Sequence, residues 1–152
     1  MKITTRGRYA LRASLALAML GRDGKPVSIS TLSEQERISS VFLEQIFFRL
    51  RKAGIVASTR GPGGGFCFAL PLDKITVRQL MSAAGENMEL VSCFKNMDNC
   101  KYSKECIAHH VWRDLSGLVN NYFDDITLAS ILNKFEEGYL ASETKQKEPG
   151  LV

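Results

Sequence analysis

The order of local signals predicts a mainly α protein with a small β-hairpin wing, arranged as a winged helix-turn-helix followed by a long dimerisation helix. Three observations carry this. Two short helix-forming stretches flank Ile38-Ser39-Ser40; two short β-prone runs flank Arg60-Gly61-Pro62-Gly63-Gly64-Gly65; and a late stretch carries an apolar stripe from Ile107 to Tyr122. With 152 residues and 45% apolar content, the chain is long enough for one packed core and an extension.

The opening, MKITTRGRYALRASLALAML, has a basic front and an apolar run from Ala13 to Leu20, as a secretory signal would. GRDGKP follows at once without a small-x-small cleavage site, and Tyr9, Ala13, Ala16, Leu17 and Leu20 recur at helical spacing. A helix of the mature protein is expected. No apolar run approaches the roughly 20 residues that span a bilayer. The expected location is therefore cytoplasmic, with no membrane partner. There thiols stay reduced, and clustered cysteines bind metal more often than they form disulfides.

After the GRDGKP turn, Ser30 or Thr31 is expected to cap a second helix, with Glu34 completing a capping box on Thr31. Beyond Ile38-Ser39-Ser40, the run VFLEQIFFRLRKAG places Phe42, Ile46, Phe47 and Leu50 at helical spacing and stops at Gly54. Two short helices joined by a tight polar turn outline a helix-turn-helix, although αα-hairpins share that outline.

The next segment sharpens the reading. Ile55–Thr59 and Phe66–Leu70 read as paired strands, with Phe66, Phe68 and Leu70 on one face. The bare glycine-rich tip between them, with Arg60 as its one charge, suits a wing laid on a phosphate backbone or into a minor groove. An ordinary hairpin turn is the alternative. Cys67 lies far from the other cysteines and reads as a small hydrophobe.

Pro71 ends the wing. Thr76 and Gln79 then form a second capping box for a helix ending near Gly85. From Glu105 another helix is expected, with Ile107, Val111, Leu115, Leu118, Val119 and Tyr122 in one stripe and Trp112 beside it. Such a stripe must be buried, either on the chain's own core or against a second copy. Ala129–Glu137 reads as a last helix capped by Thr127. The polar run from residue 141 to 152 reads as a disordered tail. The expected organisation is a DNA-binding unit over residues 1–84 and a metal-binding loop with its dimerisation helix over 85–140.

Charge agrees with this division. Residues 1–66 hold 11 Lys and Arg against 4 Asp and Glu, a net +7, whereas residues 67–152 hold 9 against 12, a net −3. A basic amino-terminal half is the electrostatic footprint of a nucleic-acid contact, though a solvated basic face would look the same. On the second helix of the pair, Ser39, Ser40, Phe42, Glu44, Gln45, Arg49 and Arg51 are residues a groove-facing helix would use. In the wing, Arg60 with Gly61, Gly63 and Gly64 would do so.

Between the two units lies CFKNMDNCKYSKECIAH, with the spacing C-x6-C-x5-C-x2-H. It holds too few apolar residues to order itself by packing. Its thiols and imidazole are soft or borderline donors suited to an iron–sulfur cluster or zinc, but structural zinc sites favour closer cysteine pairs. By spacing alone, both His109 and His110 can share a face with Cys106.

KITTRGRYALRA, LEQIFFRLRKAGIV, RGPGGGF, the three cysteines and HHVWRDL together resemble the iron–sulfur branch of the Rrf2 family of bacterial winged-helix regulators, over nearly the whole chain up to about Phe135. The resemblance implies a homodimeric repressor or activator of transcription that binds double-stranded operator DNA. It implies a 2Fe–2S cluster held by Cys93, Cys100, Cys106 and His109, supplied by cluster-assembly proteins. It also implies that Glu44 acts as a filter against one class of sites when the cluster is missing. A related branch senses nitric oxide with a 4Fe–4S cluster completed by an acidic residue near the amino terminus, where this chain has Arg8. A small iron–sulfur redox protein is the competing reading of another class. Neither a phosphate-binding glycine loop entering a helix nor a nucleophile–base pair is present, so no enzymatic activity is expected.

Overall fold

The computed structural model describes residues 3–90 and 106–146. Helix α1 (Thr5–Leu20) starts where the Thr4 hydroxyl accepts from the Gly7 amide at 3.4 Å. Its buried face includes Ala10, Ala13, Ser14, Ala16 and Leu17; of the expected line Ala13, Ala16 and Leu17 are buried, Tyr9 is half-buried and Leu20 is exposed. Alanines on this face let three other helices approach closely.

Helix α2 (Ile29–Glu36) begins earlier than either expected cap allows. Ser28, not Ser30 or Thr31, accepts from the Thr31 amide at 3.0 Å. The cause is tertiary. Val27 exchanges two hydrogen bonds with Phe66, at 2.9 and 2.8 Å, so the extended chain ends at Val27 and the next hydroxyl caps the helix. Glu34 instead accepts from Ser30 at 3.4 Å.

Helix α3 (Ser40–Lys52) follows a turn in which Ser33 Oγ donates to the Ile38 carbonyl at 2.6 Å. Leu43, Ile46, Phe47 and Leu50 are fully buried, so the helix presents one face to the core. Phe42, expected on that stripe, is half-buried with its ring edge-on to Tyr9 at 5.8 Å. Gly54, at φ 74°, ends the helix as expected.

Strands β1 (Val56–Thr59) and β2 (Gly65–Phe68) pair antiparallel with Val56 opposite Phe68 and Thr59 opposite Gly65. They are shorter than expected: Ile55 turns into the core and Leu70 is exposed. Phe66 packs on Phe47, ring centroids 5.0 Å apart, and this contact fixes the hairpin against α3. A 3₁₀ turn at Leu72–Lys74 delivers the buried Ile75, and helix α4 (Val77–Ala84) carries the expected Thr76–Gln79 capping box, with both bonds at 3.1 Å.

Helices α5 (Ile107–Asp125) and α6 (Leu128–Gln146) complete the described chain. Thr127 and Ser130 cap α6 reciprocally, and the base of α6 is stitched to α4. The Val77 amide donates to the Ile126 carbonyl, the Leu128 amide to the Ile75 carbonyl, and Leu128 is buried in the same core as α3. Helix α6 passes the expected end at Glu137 and continues to Gln146. Residues 141–146 of the expected disordered tail are therefore helical, because the helical hydrogen bonding continues past the apolar residues; residues 147–152 lie outside the described residues.

Candidate nucleic-acid interface and metal centre

The core face of α3 leaves its other face outward. Ser39, Ser40, Val41, Glu44, Gln45, Phe48, Arg49 and Arg51 are all exposed, whereas Phe42 is turned toward Tyr9. Val41 and Phe48 were missed in the sequence. They sit at i and i+7 with Glu44 and Gln45 between, opposite Leu43, Ile46 and Leu50, and that periodicity could have found them. Phe48 is 56% exposed and, with Val41 at 62%, makes this face of α3 partly apolar.

The wing is tied to this face. Arg51 Nη1 donates to Ser58 Oγ of β1 at 3.1 Å while its guanidinium lies 5.6 Å over the Phe48 ring. Arg60, Gly61 and Gly63 are exposed at the tip. Gly61 and Gly63 have φ of 94° and 74°, and a side chain on Gly64 would strike the Thr59 carbonyl. The tip therefore requires these glycines for its shape. None of Arg37, Arg49, Arg51, Lys52 and Arg60 is ion-paired with a described residue. Arg12 and Arg22, by contrast, are neutralised by Glu36 and Glu136. Five of the cations without an ion pair among the described residues thus lie on α3, the turn before it and the wing, while Arg8, Lys25 and Lys134 lie elsewhere.

Of the expected metal ligands, Cys93 and Cys100 lie outside the described residues. Cys106, expected inside a helix starting at Glu105, is instead the N-cap of α5, and its side chain makes no capping hydrogen bond. The amide of His109 donates to the Cys106 carbonyl at 3.0 Å, which sets His109 one turn inside the helix. Cys106 and His109 are half-buried and His110 is exposed. In donor type and placement, these two residues fit half of a three-cysteine, one-histidine ligand set.

The comparisons agree with this architecture. Residues 3–134 match the family model Rrf2, described as an iron-dependent transcriptional regulator. The chain belongs to the Rrf2 family. It is 41% identical to the HTH-type transcriptional regulator IscR of Aliivibrio salmonicida, covering 87% of this chain and 77% of that protein. Among solved structures it resembles T. potens IscR with a TM-score of 0.74 and 30% identity, covering 91% and 90% of the two chains. It also resembles CymR, the global cysteine regulator of B. subtilis, with a TM-score of 0.73 and 26% identity over 88% and 98%. This Rrf2 protein is therefore a winged-helix transcriptional regulator and not an enzyme, and DNA is its partner. No described helix is long and apolar enough to cross a membrane.

One more charged group shapes this Rrf2 chain. Glu86, just beyond α4, is buried against the start of α1, where its carboxylate accepts from the Thr4 hydroxyl and, at 3.0 Å, from the Thr4 amide. Burial alone would push this carboxyl upward. The Thr4 hydrogen bonds, the Arg6 guanidinium and the Gly7 amide outweigh burial and hold it below the usual glutamate range.

Proposed function

We propose that this regulator reads iron–sulfur cluster status through a 2Fe–2S cluster held by Cys93, Cys100, Cys106 and His109, and controls cluster-biogenesis or related genes by repression or activation. The observation that carries the reading is the free Cys106 side chain at the head of α5 with His109 half-buried one turn on, in a family described as iron-dependent. When bound, such a cluster supplies a removable cross-link between the loop and α5, and its single imidazole ligand makes it more proton-sensitive than an all-thiolate centre. Cluster-assembly proteins would be its source and the cytoplasm its place of action.

The protein acts as a homodimer. Ile107, Val111, Leu118 and Tyr122 are each at least 61% exposed on one chain, and α5 buries no residue of its own. An apolar stripe of this length favours a second copy, and two copies match a two-half-site operator. Ser39, Ser40, Glu44, Gln45, Arg49 and Arg51 face the groove, with Phe42 bracing them from below. Arg60 with Gly61, Gly63 and Gly64 approaches the backbone or minor groove.

The deciding experiment is anaerobic purification followed by a visible absorption spectrum with iron and sulfide assays. Parent protein is expected to carry two irons and two sulfides per chain, on the order expected of a 2Fe–2S centre. Replacing Cys93, Cys100 or Cys106 by Ala should remove the colour while the helical circular dichroism remains. A Cys100→Ala protein with undiminished cluster would overturn the ligand set.

A further inference from the structure

The turn between α2 and α3 contains an anomaly that the core does not explain. Arg37 has φ 55° and ψ 43°, and among the described residues it is the one non-glycine residue with positive φ. Glycine adopts this conformation without a steric penalty, whereas an arginine there is strained. Among the described residues nothing accounts for the side chain. Arg37 is exposed and its guanidinium makes no hydrogen bond or ion pair with a described residue. Its neighbour Glu36 is already occupied by Arg12, through an ion pair of 2.8 Å. An arginine kept for stability would have a carboxylate, a carbonyl or a ring as partner; this one has none among the described residues.

Its position explains the exposure. Arg37 lies two residues before Ser39 and lines a hollow with Thr5, Tyr9, Ser39 and Gln45, between the first turn of α1 and the leading end of α3. In a helix-turn-helix, the leading end of the second helix is the end that enters the major groove, and the sugar–phosphate backbone runs along the groove edge beside it. Thr5, which lines the same hollow, accepts from Arg8 through its Oγ1 at 3.3 Å. We propose that Arg37 is an additional DNA-contacting residue, which grips one backbone phosphate at the mouth of this hollow with its forked guanidinium. The assignment rests on reading the α3 face as the DNA-facing surface. A phosphate is favoured over a base edge because Arg37 stands on the connecting turn and not on the helix that lies in the groove.

The test measures binding of a fluorescent mixed-sequence duplex over a salt series, for protein matched in iron content. Arg37→Gly and Arg37→Gln should each weaken binding roughly tenfold at low salt and lower the slope of log K against log salt by about 0.9 for each Arg37 engaged. Arg37→Lys should retain most of the slope. Arg37→Gly should melt no lower than the parent, because glycine relieves the backbone. The same loss is expected on alternating A·T and alternating G·C duplexes. A loss confined to one of them would mean base reading and overturn the phosphate assignment. Parent-like affinity and slope in both neutral variants would overturn the proposal alone. Failure of the parent to bind any duplex would overturn the DNA-facing reading and the proposal together.

Discussion

Glu86 shows how much one side chain can join. It closes the start of α1 onto the end of α4, seven positions before the first cysteine of the expected ligand set, and it stays ionised because Thr4, Arg6 and Gly7 surround it. Its folded pKa lies below its unfolded value, so its contribution to stability is complete above the ordinary glutamate range and is lost as pH falls through the folded value. Denaturant midpoints taken from about pH 5 down to about pH 3 should therefore fall more steeply for the parent than for Glu86→Gln. Equal slopes would show that the ion contributes nothing. Glu44 presents the opposite case. It is exposed on the face of α3 proposed to meet DNA and pairs with no described cation. A carboxylate there repels phosphates unless it accepts from a base such as cytosine. If it filters sites, Glu44→Ala should let cluster-free protein bind sites that otherwise demand the cluster, while sites open to both forms change little. Titrating both forms on both site classes checks this, and uniform changes across all four would reject the filter.

At the scale of elements, the wing and α3 behave as one unit. Phe66 packs on Phe47, and Arg51 bridges to Ser58 across the junction. The tip therefore has a definite reach relative to α3, and Arg60 is its one charge. Arg60→Ala should weaken DNA binding by roughly 1–3 kcal/mol if it reads a base edge or a narrow groove. If it meets phosphate alone, the loss should be uniform across sequences with a shallower salt dependence. Unchanged affinity in a competition titration would place the wing away from DNA.

For the whole molecule, the decisive feature is a division of labour between two helices. The base of α6 is anchored in the core by Leu128, whereas α5 leaves a line of apolar side chains outside. No described residue of the chain buries that line, and the proposed second copy would cover it. Leu115, 41% exposed at the middle of the stripe, is the position where a charge would do most harm. Leu115→Glu should give monomers in sedimentation equilibrium, keep the helical signal and lose binding to a two-half-site operator. A monomeric parent protein would contradict the dimer.

Local chemistry determined much of this protein. The apolar spacing of α3, the Gly54 stop, the Thr76–Gln79 capping box and the glycine-rich wing are each legible in the sequence, because each depends on neighbours a few residues away. The motifs also pointed to the family. Tertiary structure decided what depends on distant partners. Pairing between Val27 and Phe66 moved the cap of α2 to Ser28. Close packing of α1 turned Ala10 and Ser14 inward and left Leu20 outside. The Tyr9 contact turned the Phe42 ring toward α1 and left Val41 and Phe48 as the exposed apolar residues of α3. Burial and contact energies between remote segments outweigh the small conformational preferences that sequence periodicity reports, so such choices are settled only when the chain closes on itself.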